Sequence, residues 1–145
     1  DQNINYAVPH QIVRGTVDSI IYYANDGNDE TNGVYRQMLG VTVSTQNSKY
    51  VYDSTSGYGN IVEEVVVSSV NEGSVAETMG LQQNDVLTAL IIGGTTYTID
   101  RSFDIENYSL TMRPNSLIQF VYERGGEQYT TTEYSVSAST LTAID

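Results

Sequence analysis

The chain has 145 residues, 39% of them apolar, which is enough for one modest core with some connecting chain. Six basic residues against 18 acidic ones give a formal charge of −12; such a chain repels phosphate backbones and anionic lipid, so neither nucleic acid nor a membrane surface is an expected partner. Cysteine is absent, which removes disulfides, thiolate chemistry and cysteine-based zinc sites, and no apolar run is long enough for a membrane-spanning helix.

The chain opens Asp1-Gln2-Asn3, without the basic and apolar stretches of a signal peptide, and reads as a segment of a longer protein. Residues 3 to 8 alternate polar and apolar, as a short strand does. Pro9 suits the first turn of a helix, where its missing N–H is not needed. From there to Ala24 the residues Ile12, Val13, Val17, Ile20 and Ile21 fall at helical spacing, with Gly15 as a weak point. Residues 25 to 33 are polar and turn-forming and read as a linker.

After the linker the pattern turns to β. Leu39 to Val43 is a short strand, and residues 45 to 60 read as a long polar connection whose Tyr50, Tyr52 and Tyr58 pack it onto the sheet or lengthen a groove. Ile61 to Val70 is a valine-rich strand. Ser74 to Met79 is a short helix, with Ser74 as its cap and Gly80 at its stop. Val86 to Ile92 and Thr95 to Ile99 flank a Gly93-Gly94 turn, the mark of a hairpin. Ser102 to Met112 is a second helix, capped by Ser102 and followed by Pro114. Leu117 to Glu123 and Gln128 to Val136 flank a second hairpin, and the last nine residues read as a frayed tail. Five or six short strands with two helices between them make an α+β domain, a partly open β-barrel with helices over the gaps.

Several stretches resemble one family. Asn3-Ile-Asn-Tyr-Ala-Val-Pro9 resembles the closing strand of the protease domain in HtrA-type, trypsin-like serine proteases, and the helix after it resembles their connector to a PDZ domain. Arg36-Gln-Met-Leu-Gly-Val41 resembles the carboxylate-binding loop of that PDZ domain. Its most recognisable stretch is matched by residues 67 to 87: a valine strand, then Gly73-Ser-Val-Ala76, a helix ending Met79-Gly-Leu81, and a turn ending Asn84-Asp85. Ser102-Phe103 and Phe120-Val-Tyr-Glu-Arg-Gly125 resemble the groove helix and the strand after it. Three residues depart from the pattern: Val75 for the usual Pro, Asn84 for Gly, and Gln37 where Gly often follows Arg. Asn accepts the left-handed conformation that the Asn84 turn requires.

The resemblance implies a division into 1–8 (last strand of a protease domain), 9–33 (connector helix and linker), 34–136 (PDZ domain) and 137–145 (tail). It also implies peptide binding by β-augmentation, in which an extended segment adds itself to a sheet edge beside a helix. A terminal carboxylate would meet the N–H groups of Met38, Leu39, Gly40 or Val41, because a desolvated charge without donors is costly. Leu39 and Val41 would line the pocket for the last side chain, Val43 would lie further along the groove, and Phe103, Glu106 and Leu110 would face it from the helix. Arg36 would supply a positive field. The alternation of Leu39, Val41 and Val43 also fits one buried face of an ordinary strand.

Proteolysis by the segment itself is not expected. A triad needs histidine, serine and a carboxylate; the single histidine, His10, lies in the connector, and no Gly-x-Ser-x-Gly element occurs. Glu63 and Glu64 are neighbours on a strand and point to opposite faces. The Asp/Asn-rich residues 25 to 33 do not fit a calcium loop, and no cofactor or metal is expected. The expected partners are peptides or unfolded protein C-termini, the protease domain of an exported protein of the cell envelope or exterior, and a second copy. An alternative is a docking or oligomerisation domain with a closed or degenerate groove.

Overall fold

The structure is a computed structural model, which describes residues 10–25 and 34–144. The expected first strand, most of the linker and the final residue lie outside the described residues. Helix α1 (His10–Ala24) precedes a short strand β1 (Val34–Gln37). Two long strands follow, β2 (Val41–Asp53) and β3 (Tyr58–Val70), then the one-turn helix α2 (Val75–Met79). The rest of the chain is β4 (Val86–Ile92), β5 (Thr95–Thr98), helix α3 (Ser102–Ser109), β6 (Leu117–Arg124), β7 (Glu127–Thr130), β8 (Tyr134–Ser135), a 3-10 turn (Ala138–Thr140) and β9 (Leu141–Ile144).

The larger sheet runs β2-β3-β4-β6-β7, with β5 added to β4 and β8 to β6; β1 and β9 form a separate antiparallel pair. The sheets are open rather than closed into a barrel, and the α+β class stands. Alternation places Val65 and Val67 of β3, Leu87 of β4, and Ile118 and Phe120 of β6 inside, where they meet Leu39, Met79, Ile105 and Met112 in one core. Gly93-Gly94 and Gly125-Gly126 form the two hairpin turns, all four at positive φ. Ser74 caps α2 by accepting the Glu77 N–H at 3.2 Å, and Gly80 ends it in the left-handed region at φ 93°.

Two expectations are corrected. Residues 45 to 60 are a paired ribbon, not a connection: β2 and β3 stay in register out to Asp53–Tyr58. The polar side chains reflect two solvated faces, and Tyr50, Tyr52 and Tyr58 are 68%, 61% and 75% exposed rather than packed on the sheet. Residues 141–144 are a strand paired with β1 (Val34 opposite Ile144, Gln37 opposite Leu141), not a frayed tail. In α1 the apolar residues Val13, Val17, Ile20 and Ile21 are exposed, while Ser19 and Tyr23 are buried. Gly15, on that same buried face, lets the helix approach α3 so closely that a Cβ there would lie 2.7 Å from the Asn107 Oδ1.

Candidate functional site

β2 is the end strand of the larger sheet and pairs only with β3 among the described residues. Its other edge looks across a cleft to α3. The cleft, of about 380 Å³, is walled by residues 36–43, by Asn71, and by Ser102, Ile105, Glu106 and Ser109 of α3.

The start of β2 is shaped by Gly40. Its φ of +72° is open to glycine, and a Cβ there would sit 2.3 Å from the Ser74 Cβ. The turn is anchored on one side: the Leu39 carbonyl accepts the Ala76 N–H at 2.9 Å and the Gly40 carbonyl accepts the Asn71 N–H at 2.8 Å. With the carbonyls held toward α2, the N–H groups of Met38, Leu39 and Gly40 donate to no atom among the described residues. Adjacent main-chain N–H groups in a turn of this kind form a concavity suited to an anion.

Gln37 explains how the loop keeps its form without the usual glycine. The side chain turns inward and is buried. Its Nε2 donates to the Met38 carbonyl at 2.9 Å, and its Oε1 accepts the Thr140 hydroxyl at 2.8 Å. The carboxyl-terminal segment therefore braces the loop from behind.

α3 begins where the Asp104 carboxylate accepts the N–H groups of Asp100 and Arg101, both at 2.9 Å; the cap position is Arg101, one residue before the expected Ser102. Asp100 lies beside this carboxylate. Burial, and secondarily the charge of Asp104, raises its pKa above the usual carboxylate range. Burial also raises the Tyr108 hydroxyl, with Asp104 and Asp100 adding to it, and that hydroxyl donates to the Thr98 carbonyl at 2.6 Å. The main charges in the cleft are Arg36 and Glu106, which bind each other with NH1 and Oε1 at 2.5 Å.

Of the residues expected at the site, Arg36, Met38, Leu39, Gly40, Val41, Val43 and Glu106 line the cleft. Leu39 also belongs to the core. Phe103 and Leu110 do not line it: the Arg101 guanidinium lies over the Phe103 ring at 5.3 Å, and Leu110 is buried on the α1 side of the helix. The helical period decides this, because residues 102, 105, 106 and 109 share one face and residues 103, 107 and 110 another. Counting from Ser102 at that period would have found Ile105 and Ser109. Asn71 comes from a turn distant in sequence, and only the fold brings it in. Among the described residues no cluster of potential metal ligands occurs.

The PDZ domain family matches residues 37–132, and the chain belongs to it. Two solved structures share the fold. One, described as the HtrA-type protease AlgW with a decapeptide, is 24% identical, with a TM-score of 0.58, over 99% of this chain and 38% of that one. The other, a substituted form of the same protease with a decapeptide, is 22% identical, with a TM-score of 0.54, over 94% of this chain and 37% of that one. The chain thus spans less than two fifths of the structures it resembles. No curated protein sequence matches it.

Proposed function

We propose that this PDZ domain binds extended or carboxyl-terminal peptide segments by adding them to the free edge of β2, and that it serves an exported HtrA-type serine endopeptidase in cell-envelope protein quality control. The observation that carries the reading is the coincidence of three features. A strand edge that is unpaired among the described residues faces a helix, and three N–H groups with no partner among those residues stand where a terminal carboxylate would arrive. The apolar side chains of Val41, Val43 and Ile105 give the last ligand side chain an oily wall. The decapeptides named in both structural neighbours agree with this use of the fold. The module's part is to hold a substrate or to report its presence to the protease domain, and the bond cleavage belongs elsewhere.

The test is a titration of the 15N-labelled protein with peptides ending in apolar residues. Binding moves the amide resonances of residues 38–43 and of α3; peptides that leave both sets in place overturn the reading. A second reading, a docking element with a closed cleft, is favoured by the Arg36–Glu106 pair running from β1 to α3. Light scattering on the protein without peptide separates the two, since docking requires self-association.

A further inference from the structure

Beyond Val65 the β2–β3 ribbon leaves the rest of the domain. β3 pairs with β4 at Val65 and Val66, and among the described residues its last hydrogen bond to another segment is that of the Glu63 N–H, which donates to the Asp100 carbonyl at 2.8 Å. From there to the Asp53–Tyr58 end, the two strands stand without a third among the described residues, although a lone hairpin is marginal in water. Alternation carries the core side of the sheet out along this ribbon. Val65 and Val67 point into the core, so Glu63, Ile61 and Gly59 share their side, and the register sets Tyr50 opposite Ile61 and Tyr52 opposite Gly59. The Tyr50 ring lies across Gly59, where any Cβ would overlap it. Tyr50, Tyr52 and Ile61 therefore form one exposed apolar platform. It lies on the side of the sheet where α3 walls the cleft, and Glu63 on that side meets Arg101 at the head of α3 at 3.2 Å. Between Gln46 and Val62 the charged residues are Lys49 and Asp53, which cancel, in a chain of net charge −12.

We propose that this platform is a second peptide subsite, remote from the cleft, which takes aromatic side chains about nine and eleven residues from the carboxyl end of an unfolded, uncharged segment; the inference rests on the peptide-binding reading above. A segment with its carboxyl end at the Gly40 loop runs antiparallel to β2, outward toward Asp53. Its side chains alternate, and those that share the side of the last one stay on the core side of the sheet. Nine steps separate Val41 from Tyr50, and the bulge between Gln46 and Lys49 absorbs one. The eight that remain span roughly 26 Å and, being even in number, bring the ninth ligand side chain to Tyr50 on that same side. The bulge also interrupts the row of main-chain groups along the edge of β2, so main-chain pairing belongs to the cleft and the platform reads side chains. An uncharged face gives a charged group nothing in exchange for its water, whereas aromatic rings gain by packing on the two tyrosines.

Isothermal titration calorimetry compares three unlabelled, N-acetylated peptides that share their last five residues and end in Val. One is the pentapeptide itself, one a dodecapeptide with Phe ninth and eleventh from the end, and one the same dodecapeptide with Ser at both places. With the intact chain the Phe dodecapeptide binds about fivefold more tightly than the pentapeptide, the gain of two ring contacts less the ordering of the added residues. The Ser dodecapeptide binds no better than the pentapeptide. Tyr50→Thr combined with Tyr52→Thr keeps strand-forming residues; it removes the advantage and leaves the pentapeptide affinity unchanged, which shows that the fold and the cleft persist. Tyr58→Thr, on the opposite side of the same ribbon, keeps the advantage. Equal affinities for the Phe dodecapeptide and the pentapeptide on the intact chain overturn the platform and leave the reading of the cleft standing. An advantage that survives the double substitution, or that Tyr58→Thr also removes, overturns it too. Self-association of the intact chain, seen by light scattering and lost in the double variant, assigns the face to a second copy and overturns it as well. Failure of all three peptides to bind overturns both readings.

Discussion

The Thr140 hydroxyl donates to the Gln37 Oε1 at 2.8 Å, while the same Gln37 side chain donates to the Met38 carbonyl at 2.9 Å. One buried amide thus fastens the loop at the head of β2 to a segment more than a hundred residues away. Leucine fills much of the same volume and bonds to neither. Gln37→Leu leaves the Met38 carbonyl without its partner, so a loss of about 1 kcal/mol in urea unfolding is expected. Hydrogen exchange at Ala76 and Asn71, whose N–H groups donate to the Leu39 and Gly40 carbonyls, should quicken by more than that global loss accounts for. Exchange as slow as in the intact chain would mean that α2 alone holds the loop.

Gly40 and Gly73 have nearly the same φ, +72° and +71°, but different surroundings. Nothing lies within 4 Å of a Cβ built on Gly73, whereas one on Gly40 meets the Ser74 Cβ at 2.3 Å. Gly73→Ala therefore carries only the left-handed cost of about 1 kcal/mol. Gly40→Ala carries that and a steric conflict that must push the loop off α2, for a total of about 3 kcal/mol. Thermal unfolding of the two variants side by side separates the terms. Equal losses would show that the loop relaxes freely and that Gly40 is there for its dihedral angle alone.

Local rules reached some elements and not others. Ser74, Gly80 and the paired glycines of both hairpins act through their own backbones or those of near neighbours, so residue type alone placed them. Asn84 belongs with them, since its φ of 73° is the left-handed turn expected of it. The β2–β3 ribbon escaped because neither of its faces is buried around Tyr50 to Tyr58, and without burial no apolar alternation is written into the chain. β9 escaped because its partner β1 is far away in sequence. The cleft was legible on its β2 side, where Leu39-Gly40 stands out. It was blurred on the α3 side, where choosing residues 103 and 110 instead of 105 and 109 turned the helix through more than a right angle.

Gly15 and Asn107 form a close approach between α1 and α3. Asn107 is buried, and its Oδ1 has no hydrogen-bond partner among the described residues. A methyl group on Gly15 would lie 2.7 Å from that atom, so Gly15→Ala lifts α1 unless the Asn107 amide turns aside, although alanine favours the helix by about 1 kcal/mol. The Arg113 guanidinium, now 4.5 Å from the Tyr22 ring and 5.4 Å from the Tyr23 ring, then loses its stacking. The expected result is a changed near-ultraviolet tyrosine dichroism and faster hydrogen exchange in α1 with the core amides unaffected. Adding Asn107→Ala clears the space, and the double variant should regain the α1 protection that Gly15→Ala loses, a coupling that two independent sites would not show.

Asp100 offers a test of charge at the head of α3. Its pKa is raised, first by burial and then by the Asp104 carboxylate. A carboxyl whose value in the fold exceeds that in the unfolded chain holds its proton more tightly when folded, so stability falls as pH rises through the raised value. At neutral pH the ionised Asp100 is therefore a liability, and at pH 3 it is not, because the group is protonated in both states. Asp100→Asn keeps the shape and removes the charge. A gain of about 0.5 kcal/mol at pH 7, discounted for partial exposure, corresponds to a melting temperature higher by about 1–2 °C for a domain of this size. At pH 3 the two proteins should melt together. Asp104 must stay as it is in this comparison, since its carboxylate accepts the two N–H groups that start the helix. A gain of equal size at both pH values would trace the effect to hydrogen bonding by the new amide rather than to relief of charge.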